Sequence, residues 1–164
     1  MTYDKDMTSS SSTADAPLPH VRRSDCRPPT LAGHLRVAVT HVVRRLRLER
    51  SSEQITDGQY AALAALANRG PMSPTALAED QRVQGPPMSR IVGALVEAGL
   101  ARRDEHPTDG RQVIVSVTEA GMAEITETRR RRNVWLEARL AELTSADREI
   151  LARAAHLLDR IATQ

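Results

Sequence analysis

Two arginines, Arg90 and Arg111, occupy positions from which a guanidinium group could bind a polyanion. Arg90 belongs to a helical pattern whose apolar residues recur on one face, namely Met88, Ile91, Val92 and Leu95. The opposite face is polar or small and holds Pro86, Ser89, Arg90 and Gly93. A guanidinium on such a face can donate two hydrogen bonds to guanine O6 and N7 in a major groove. The pattern therefore predicts a DNA-reading helix, with Gln84 and the helix N-terminus placed to hold a phosphate.

The second arginine follows a segment with the pattern of a β-hairpin. Residues 100–104 and 112–117 are typical of strands, and the second run has valine at alternate positions. Asp109-Gly110 between the runs is a strong signal for a tight turn. Arg111 would then lie near the hairpin tip, where an arginine can enter a narrow minor groove and Asp109 could fix it by an ion pair.

The segment before this hairpin has a helix-turn-helix pattern. Ser73 is a predicted N-cap with Pro74 at the first helical position, where proline is well tolerated. Gly85-Pro86-Pro87 interrupts the chain and begins the helix that carries Arg90, and Gly99 ends it. Helix, turn, helix and hairpin in this order predict a winged helix-turn-helix, a mainly α fold with a small β-hairpin wing (α+β).

Further helices are predicted on both sides of this module. Their signals are apolar periodicity over residues 31–50, a Thr56 to Gln59 capping box, and N-caps at Thr118 and Thr144. The small central core cannot cover all of their apolar stripes, so pairing with a second chain is predicted. The predicted organisation is a disordered tail at 1–29 and a domain at 30–164, with a DNA-binding lobe at about 56–118 and dimerisation helices at about 31–50 and 119–163.

Composition excludes several other classes of protein. Aromatic residues make up 2% of the chain and hydrophobic residues 40%, which favours a helical core of aliphatic side chains. The single cysteine, Cys26, excludes an internal disulfide, and with scattered histidines no metal or cofactor is predicted. No apolar run is long enough for a membrane span and no signal peptide is evident, which predicts a cytoplasmic protein. The motifs of phosphate-binding loops, zinc proteases and nucleophile elbows are absent, so no enzyme is predicted.

The charge distribution argues against a general basic surface. The chain has a net charge of +2, but residues 71–118 hold five arginines and six acidic residues, which sum to −1. DNA binding there must depend on a few placed arginines, and the near neutrality leaves open a protein-interaction module as a second hypothesis. The run Arg129 to Arg132 points all round a helix and predicts a solvated face, in which Glu127 pairs with Arg131.

Several spaced blocks together resemble the MarR family of bacterial transcriptional regulators. In chain order they are Leu77-Ala78-Glu79, Val83 to Val92, Leu95 to Leu100, Asp109-Gly110-Arg111 and Val115 to Gly121. The resemblance covers the chain from about Leu31. It implies a winged-helix homodimer that binds a pseudo-palindromic double-stranded DNA operator, as a repressor that is often released by a small phenolic or oxidising effector. Gly85 departs from the family pattern, which commonly has proline there, and the N-terminal tail is longer than usual.

The resemblance also implies roles for individual residues. The recognition-helix contacts would be Gln84, Pro86, Pro87, Ser89 and Arg90, the wing pair Asp109 and Arg111, and the backbone contacts Ser73 and Thr75. Effectors in this family often lie between the first helix, the DNA-binding lobe and the long helix after the wing. Here that implies a pocket formed by His34, His41, Arg44, Arg45 and Trp135. An arginine there could pair with a carboxylate, and the indole could cover an aromatic ring.

Cys26 offers a different sensing chemistry. Arg23 and Arg27 would favour its thiolate, and some family members sense peroxides with one cysteine near the N-terminus. The only tyrosines are Tyr3 and Tyr60, so the tyrosine partners usual in that subgroup are missing. Peroxide sensing through Cys26 is therefore an alternative hypothesis to release by a phenolic ligand.

Overall fold

The computed structural model describes residues 21–51, 55–105 and 113–163, and within them the chain is mainly helical. The elements in chain order are α1 Pro28–Leu48, α2 Asp57–Arg69, α3 Pro74–Asp80, α4 Gly85–Glu97, β1 Ala101–Glu105, β2 Val113–Val117, α5 Glu119–Ala141 and α6 Ser145–Ala162. The strands pair antiparallel, with Ala101 opposite Val117 and Glu105 opposite Val113. The predicted fold class is confirmed. None of the described helices is long and apolar enough to cross a membrane.

The helix starts follow local signals in the sequence. Thr56 begins α2 with the predicted capping box: its Oγ1 accepts a hydrogen bond from the Gln59 amide at 3.3 Å, and its own amide donates to Gln59 Oε1 at 2.6 Å. Ser73 Oγ accepts from the Ala76 amide at 3.1 Å at the start of α3, and Thr144 caps α6. These caps bind amides that have no partner inside their own helices.

Some element boundaries differ from the sequence prediction. The α1 helix begins at Pro28 and not at about residue 31, so it starts inside the predicted tail. Because amides in the first turn of a helix have no intrahelical partner, Pro28 and Pro29 cost little there. Each strand begins one residue later than predicted. The predicted turn at Asp109-Gly110 lies outside the described residues.

The larger of two compact units runs from Thr40 to Trp135 and contains the core. Its largest fully buried apolar side chains are Leu63, Leu66, Leu77, Met88, Leu95, Ile125, Val92 and Val115. Met72, just before α3, pairs with Val115 through two backbone hydrogen bonds of 3.2 and 2.9 Å. This bridge was not predicted, and it attaches the start of the helix-turn-helix to the second wing strand.

The beginning of α5 packs closely on the base of the wing. Thr118 Oγ1 donates to the Gly99 carbonyl at 2.7 Å, and the Thr118 amide donates to the Leu100 carbonyl at 3.0 Å. A Cβ at Gly121 would collide with the Leu100 carbonyl oxygen and would lie 2.9 Å from Val117 Cγ2. Glycine at this position therefore permits the close approach of α5 to the wing.

The smaller unit joins the described residues up to Val39 with the chain from Leu136 to residue 163. It contains all of α6, in which no residue is buried, and the first part of α1, which has no buried residue either. In α6, Ile150 and Leu157 are each 56% exposed and Ile161 is 66% exposed. Apolar stripes as exposed as these are typical of surfaces that are covered by a partner.

Candidate nucleic-acid interface

The α4 helix has the two faces that its sequence pattern predicts. Its buried residues are Met88, Val92 and Leu95, and its exposed residues include Pro86, Ser89 and Arg90. Arg90 makes no hydrogen bond or ion pair with any residue in the described ranges. Its guanidinium group is therefore available to a ligand such as the edge of a base pair.

The N-terminus of α4 is poor in hydrogen-bond donors. Gln84 is the N-cap, but its side chain makes no capping hydrogen bond. Pro86 and Pro87 have no amide hydrogen, and the Met88 amide donates to the Gln84 carbonyl at 3.2 Å. Of the first three residues of α4, only Gly85 can offer an amide to a phosphate. The helix terminus alone is thus a weaker anion site than the sequence pattern predicted.

A cavity of about 270 Å³ lies between α3 and α4. Its lining residues are Pro74, Thr75, Ala78, Glu79, Arg82, Val83, Gly85 and Ser89. The cavity brings together Thr75 and Ser89, which were predicted separately as a backbone contact and a recognition-helix contact. Ser73, the N-cap of α3, is half-buried beside this helix start, and its hydroxyl oxygen already accepts from Ala76. Its hydroxyl hydrogen can still be donated.

One face of the wing carries a hydrogen-bonded cluster that was not predicted. Arg102 Nε donates to both Asp104 Oδ2 and Ser116 Oγ at 3.0 Å, and Ser116 Oγ donates to Asp104 Oδ2 at 2.6 Å. The Ser116 hydroxyl, followed by the Arg102 guanidinium, holds the pKa of Asp104 below its usual range. Arg102 and Ser116 are cross-strand partners, so the strand register was the information needed to find this cluster.

The arginine run of α5 is held by partners on the protein itself. Glu127 accepts hydrogen bonds from Arg130 at 2.7 Å and from Arg131 at 2.8 Å, so the predicted Glu127 to Arg131 pair is confirmed. These hydrogen bonds, first that from Arg130, lower the pKa of Glu127 from 4.5 to about 2. Arg129 donates to Asn68 Oδ1 at 2.8 Å. The run is therefore not an open cationic patch.

A second cavity, of about 300 Å³, is lined by Val43, Leu46, Arg47, Asp57, Tyr60, Ala61 and Arg132. The Arg132 guanidinium carbon lies 4.3 Å from the centre of the Tyr60 ring, and Arg132 Nε donates to the Leu46 carbonyl at 3.2 Å. Arg47 Nε lies 3.4 Å from Asp57 Oδ2, and the buried Asp57 Oδ1 has no hydrogen bond from a described residue. A phenol ring and two guanidinium groups in one cavity could bind an aromatic anion.

The sequence matches a known family and close relatives of it. A family model described as the MarR family matches residues 53–112. An HTH-type transcriptional regulator of Mycobacterium bovis is 44% identical over 135 residues, which cover 82% of this chain and 92% of the relative. The chain belongs to the MarR family. The MarR family and the matched relative are transcriptional regulators. The MarR-family protein is therefore a transcriptional regulator and not an enzyme.

Solved structures share the fold of this MarR-family protein. A transcriptional regulator from Pseudomonas aeruginosa is 30% identical, with a TM-score of 0.75, and the match covers 88% of this chain and 99% of that one. A mutant of MepR from S. aureus, solved bound to an oligodeoxyribonucleotide, is 16% identical with a TM-score of 0.62. That match covers 82% of this chain and 97% of MepR, and it shows the fold alone.

The predicted DNA contacts of the MarR-family protein fall into two groups. On α3, α4 and the residues that begin them lie Ser73, Thr75, Gln84, Pro86, Pro87, Ser89 and Arg90. Asp109 and Arg111 lie outside the described residues, so their role in the wing stays a prediction.

The predicted effector residues are only partly brought together. The Arg45 guanidinium carbon lies 5.1 Å from the centre of the Trp135 ring. The other three, His34, His41 and Arg44, are exposed on α1. None of the five lines the cavity that contains Tyr60 and Arg132. The sequence did not predict Tyr60 and Arg132 as site residues, because their contact depends on how α2 packs against α5. The scarcity of tyrosines in the chain was the only signal that could have pointed to Tyr60.

Proposed function

We propose that this MarR-family protein is a repressor that binds a pseudo-palindromic operator as a homodimer and is released by a small aromatic or phenolic ligand. Each α4 helix would enter the major groove of one half-site, with half-sites roughly 34 Å apart and a wing in each flanking minor groove. The exposed face of α4, where Arg90 has no partner in the described parts of the chain, carries this proposal. The protein would act on the nucleoid in the cytoplasm.

The DNA-binding part is tested by separating base contacts from backbone contacts. On an operator selected from a random pool, Arg90→Ala should cost about 1–3 kcal/mol and relax base preference, because Arg90 would read a base edge. Arg111→Ala should weaken binding with less change in preference. Equal losses on operator and random duplex for both variants would contradict these roles. Wild-type affinity that does not fall with salt would instead favour the protein-interaction module.

The proposed dimer is supported by the apolar surfaces of α1 and α6. Neither helix has a buried residue, and large apolar side chains such as Leu31, Val37 and Ile161 are more than two-fifths exposed. A second copy of the chain would cover these stripes and would place two α4 helices on one duplex. Sedimentation of the purified protein at micromolar concentration should therefore give twice the chain mass.

The proposed release is supported by the cavity between α1, α2 and α5. Benzoate offers the required ring and carboxylate, and it should release the operator if the ligand class is right. Arg132→Met should then raise the benzoate concentration needed by about tenfold, because a charge-assisted hydrogen bond to the carboxylate is lost. His41→Ala is the matched control, since His41 is exposed on α1 and does not line the cavity. A larger effect of His41→Ala would favour the pocket predicted from the sequence.

A second sensing chemistry is supported by the exposure of Cys26. Its thiol is on the surface and donates a weak hydrogen bond to the Arg22 carbonyl at 3.8 Å. An organic peroxide would oxidise such a thiol most readily as the thiolate. If Cys26→Ser leaves peroxide release from the operator unchanged, this chemistry is excluded.

A further inference from the structure

The turn between α3 and α4 contains a residue in an unusual backbone conformation. Arg82 has φ of +51°, and it is the only non-glycine residue with positive φ in the described ranges. This left-handed conformation is unfavourable for a residue with a Cβ, and helix-turn-helix turns often have glycine for that reason. The Arg82 amide donates to the Glu79 carbonyl at 3.1 Å and the Val83 amide to the Ala78 carbonyl at 2.9 Å, which fix the turn. Because glycine would be less strained, an arginine here points to a use for its side chain.

The Arg82 side chain is exposed and makes no hydrogen bond or ion pair within the described parts of the chain. Two other arginines of the larger unit differ in this respect, because Arg69 pairs with Asp80 and Arg102 pairs with Asp104. Those two arginines are thus engaged by neighbouring carboxylates. Arg82 is not, and its charge is available to a ligand.

Arg82 lies where it could compensate for the missing amide donors at the start of α4. It lines the cavity between α3 and α4 together with Thr75 and Ser89. The prolines of the first turn remove amide donors, so an anion there would need a cation from elsewhere. Glu79 also lines the cavity and opposes an anion, so the two hydroxyl groups and the guanidinium would have to outweigh its charge.

We propose that Arg82 binds a backbone phosphate of the DNA next to the start of α4. A guanidinium suits this role because its fork of N–H donors matches phosphate oxygens and its charge is permanent. The proposal rests on the DNA-binding function proposed above. It adds a sequence-independent contact beside the base contact of Arg90.

Arg82→Gly separates this role from a purely structural one, because it removes the cation and relieves the backbone. Affinity should fall about fivefold on both the selected operator and a random duplex, and the salt slope should fall by about 1. The melting temperature should not fall, because glycine adopts positive φ without strain. Arg82→Lys keeps the charge and should retain most of the affinity. Arg153→Ala is the control for net charge, since Arg153 on α6 is 77% exposed.

Two results would overturn the proposal while leaving the proposed function standing. If Arg82→Gly binds both duplexes with the affinity and the salt slope of the wild type, Arg82 has only a structural role in the turn. A loss confined to the operator would show that Arg82 reads a base and not a phosphate. Failure of the proposed function looks different, because the wild-type protein would then show no salt-dependent binding to either duplex.

Discussion

The unit from Thr40 to Trp135 and the helix α6 place their apolar residues in opposite environments. In the larger unit, side chains such as Leu63 and Leu95 are fully buried by other elements of the same chain. In α6, Leu157 and Ile161 are more than half exposed. A helix gains most of its stability from burying its apolar face, so α6 has little to stabilise it within one chain. The larger unit therefore has a complete core of its own, whereas the described part of the chain leaves the apolar face of α6 uncovered.

The largest effect is expected from a charged residue placed in the apolar stripe of α6. Leu157→Asp should weaken the proposed dimer by about 4 kcal/mol, because a partner would cover Leu157, and the change would replace that apolar burial with an uncompensated buried carboxylate. Sedimentation should show monomers. The helical signal in circular dichroism should fall while the unfolding transition of the larger unit persists. An unchanged dimer would show that this face of α6 is not the interface. Asp159→Ala is the control and should leave the dimer intact, because Asp159 is two positions from Leu157 and so lies on the opposite side of the helix.

A substitution at Gly121 tests how closely α5 packs on the wing in the larger unit. A Cβ there would collide with the backbone at Leu100, which cannot move without displacing the wing. Gly121→Ala should therefore lower the free energy of unfolding by about 3 kcal/mol, measured by urea denaturation. Gly93→Ala is the matched control, because nothing lies within 4 Å of a Cβ at Gly93. It should be neutral or stabilising by about 0.5 kcal/mol, since alanine favours a helix. Equal effects would mean that α5 is not closely packed on the wing.

The features that the sequence predicted are those that depend on neighbours along the chain. The Thr56 and Ser73 caps involve residues three positions apart, and the buried face of α4 follows from helical periodicity. The start of α1 at Pro28 differs from the prediction, because proline breaks the interior of a helix but suits its first turn.

The features that the sequence did not predict depend on packing between distant elements. Met72 pairs with Val115 across 43 positions, and no local pattern marks either residue as a partner. The contact of Arg132 with Tyr60 likewise exists only once α2 and α5 have packed. For the candidate site, helical periodicity was sufficient to place Arg90 on the exposed face of α4. The strain at Arg82 was not predictable, because its φ value is set by the geometry of the turn.

A smaller effect is expected at the joint between α2 and α3. Asp80 is paired with Arg69 and accepts from Gln81 Nε2 at 2.6 Å, and its side chain is 7% exposed. Arg69→Met leaves that carboxylate buried with one neutral donor and should cost about 2 kcal/mol of unfolding free energy. Asp80→Asn in the same background should recover about half of the loss, because the buried charge is removed. If the losses of unfolding free energy in Arg69→Met alone and Asp80→Asn alone add up to the loss in the double variant, the ion pair contributes nothing.

The smallest expected effect is a pH dependence on the α5 arginine run, which lies on the surface of the larger unit. Hydrogen bonds from Arg130 and Arg131 lower the pKa of Glu127 from 4.5 to about 2, so the folded state holds this carboxylate ionised where the unfolded chain takes up a proton. The resulting stability is fully present above pH 4.5 and is lost as the pH falls towards 2.

Glu127→Gln should therefore flatten the fall in unfolding free energy between pH 4.5 and about 2, measured by urea denaturation at each pH. Because the group is exposed, the difference from wild type should shrink as salt is added. Glu137→Gln on the same helix is the control, since Glu137 makes no ion pair with a described residue. Parallel curves for wild type and Glu127→Gln would show that solvent screening removes the benefit of these ion pairs. In that case the core of the larger unit, and not its surface charges, would account for its stability.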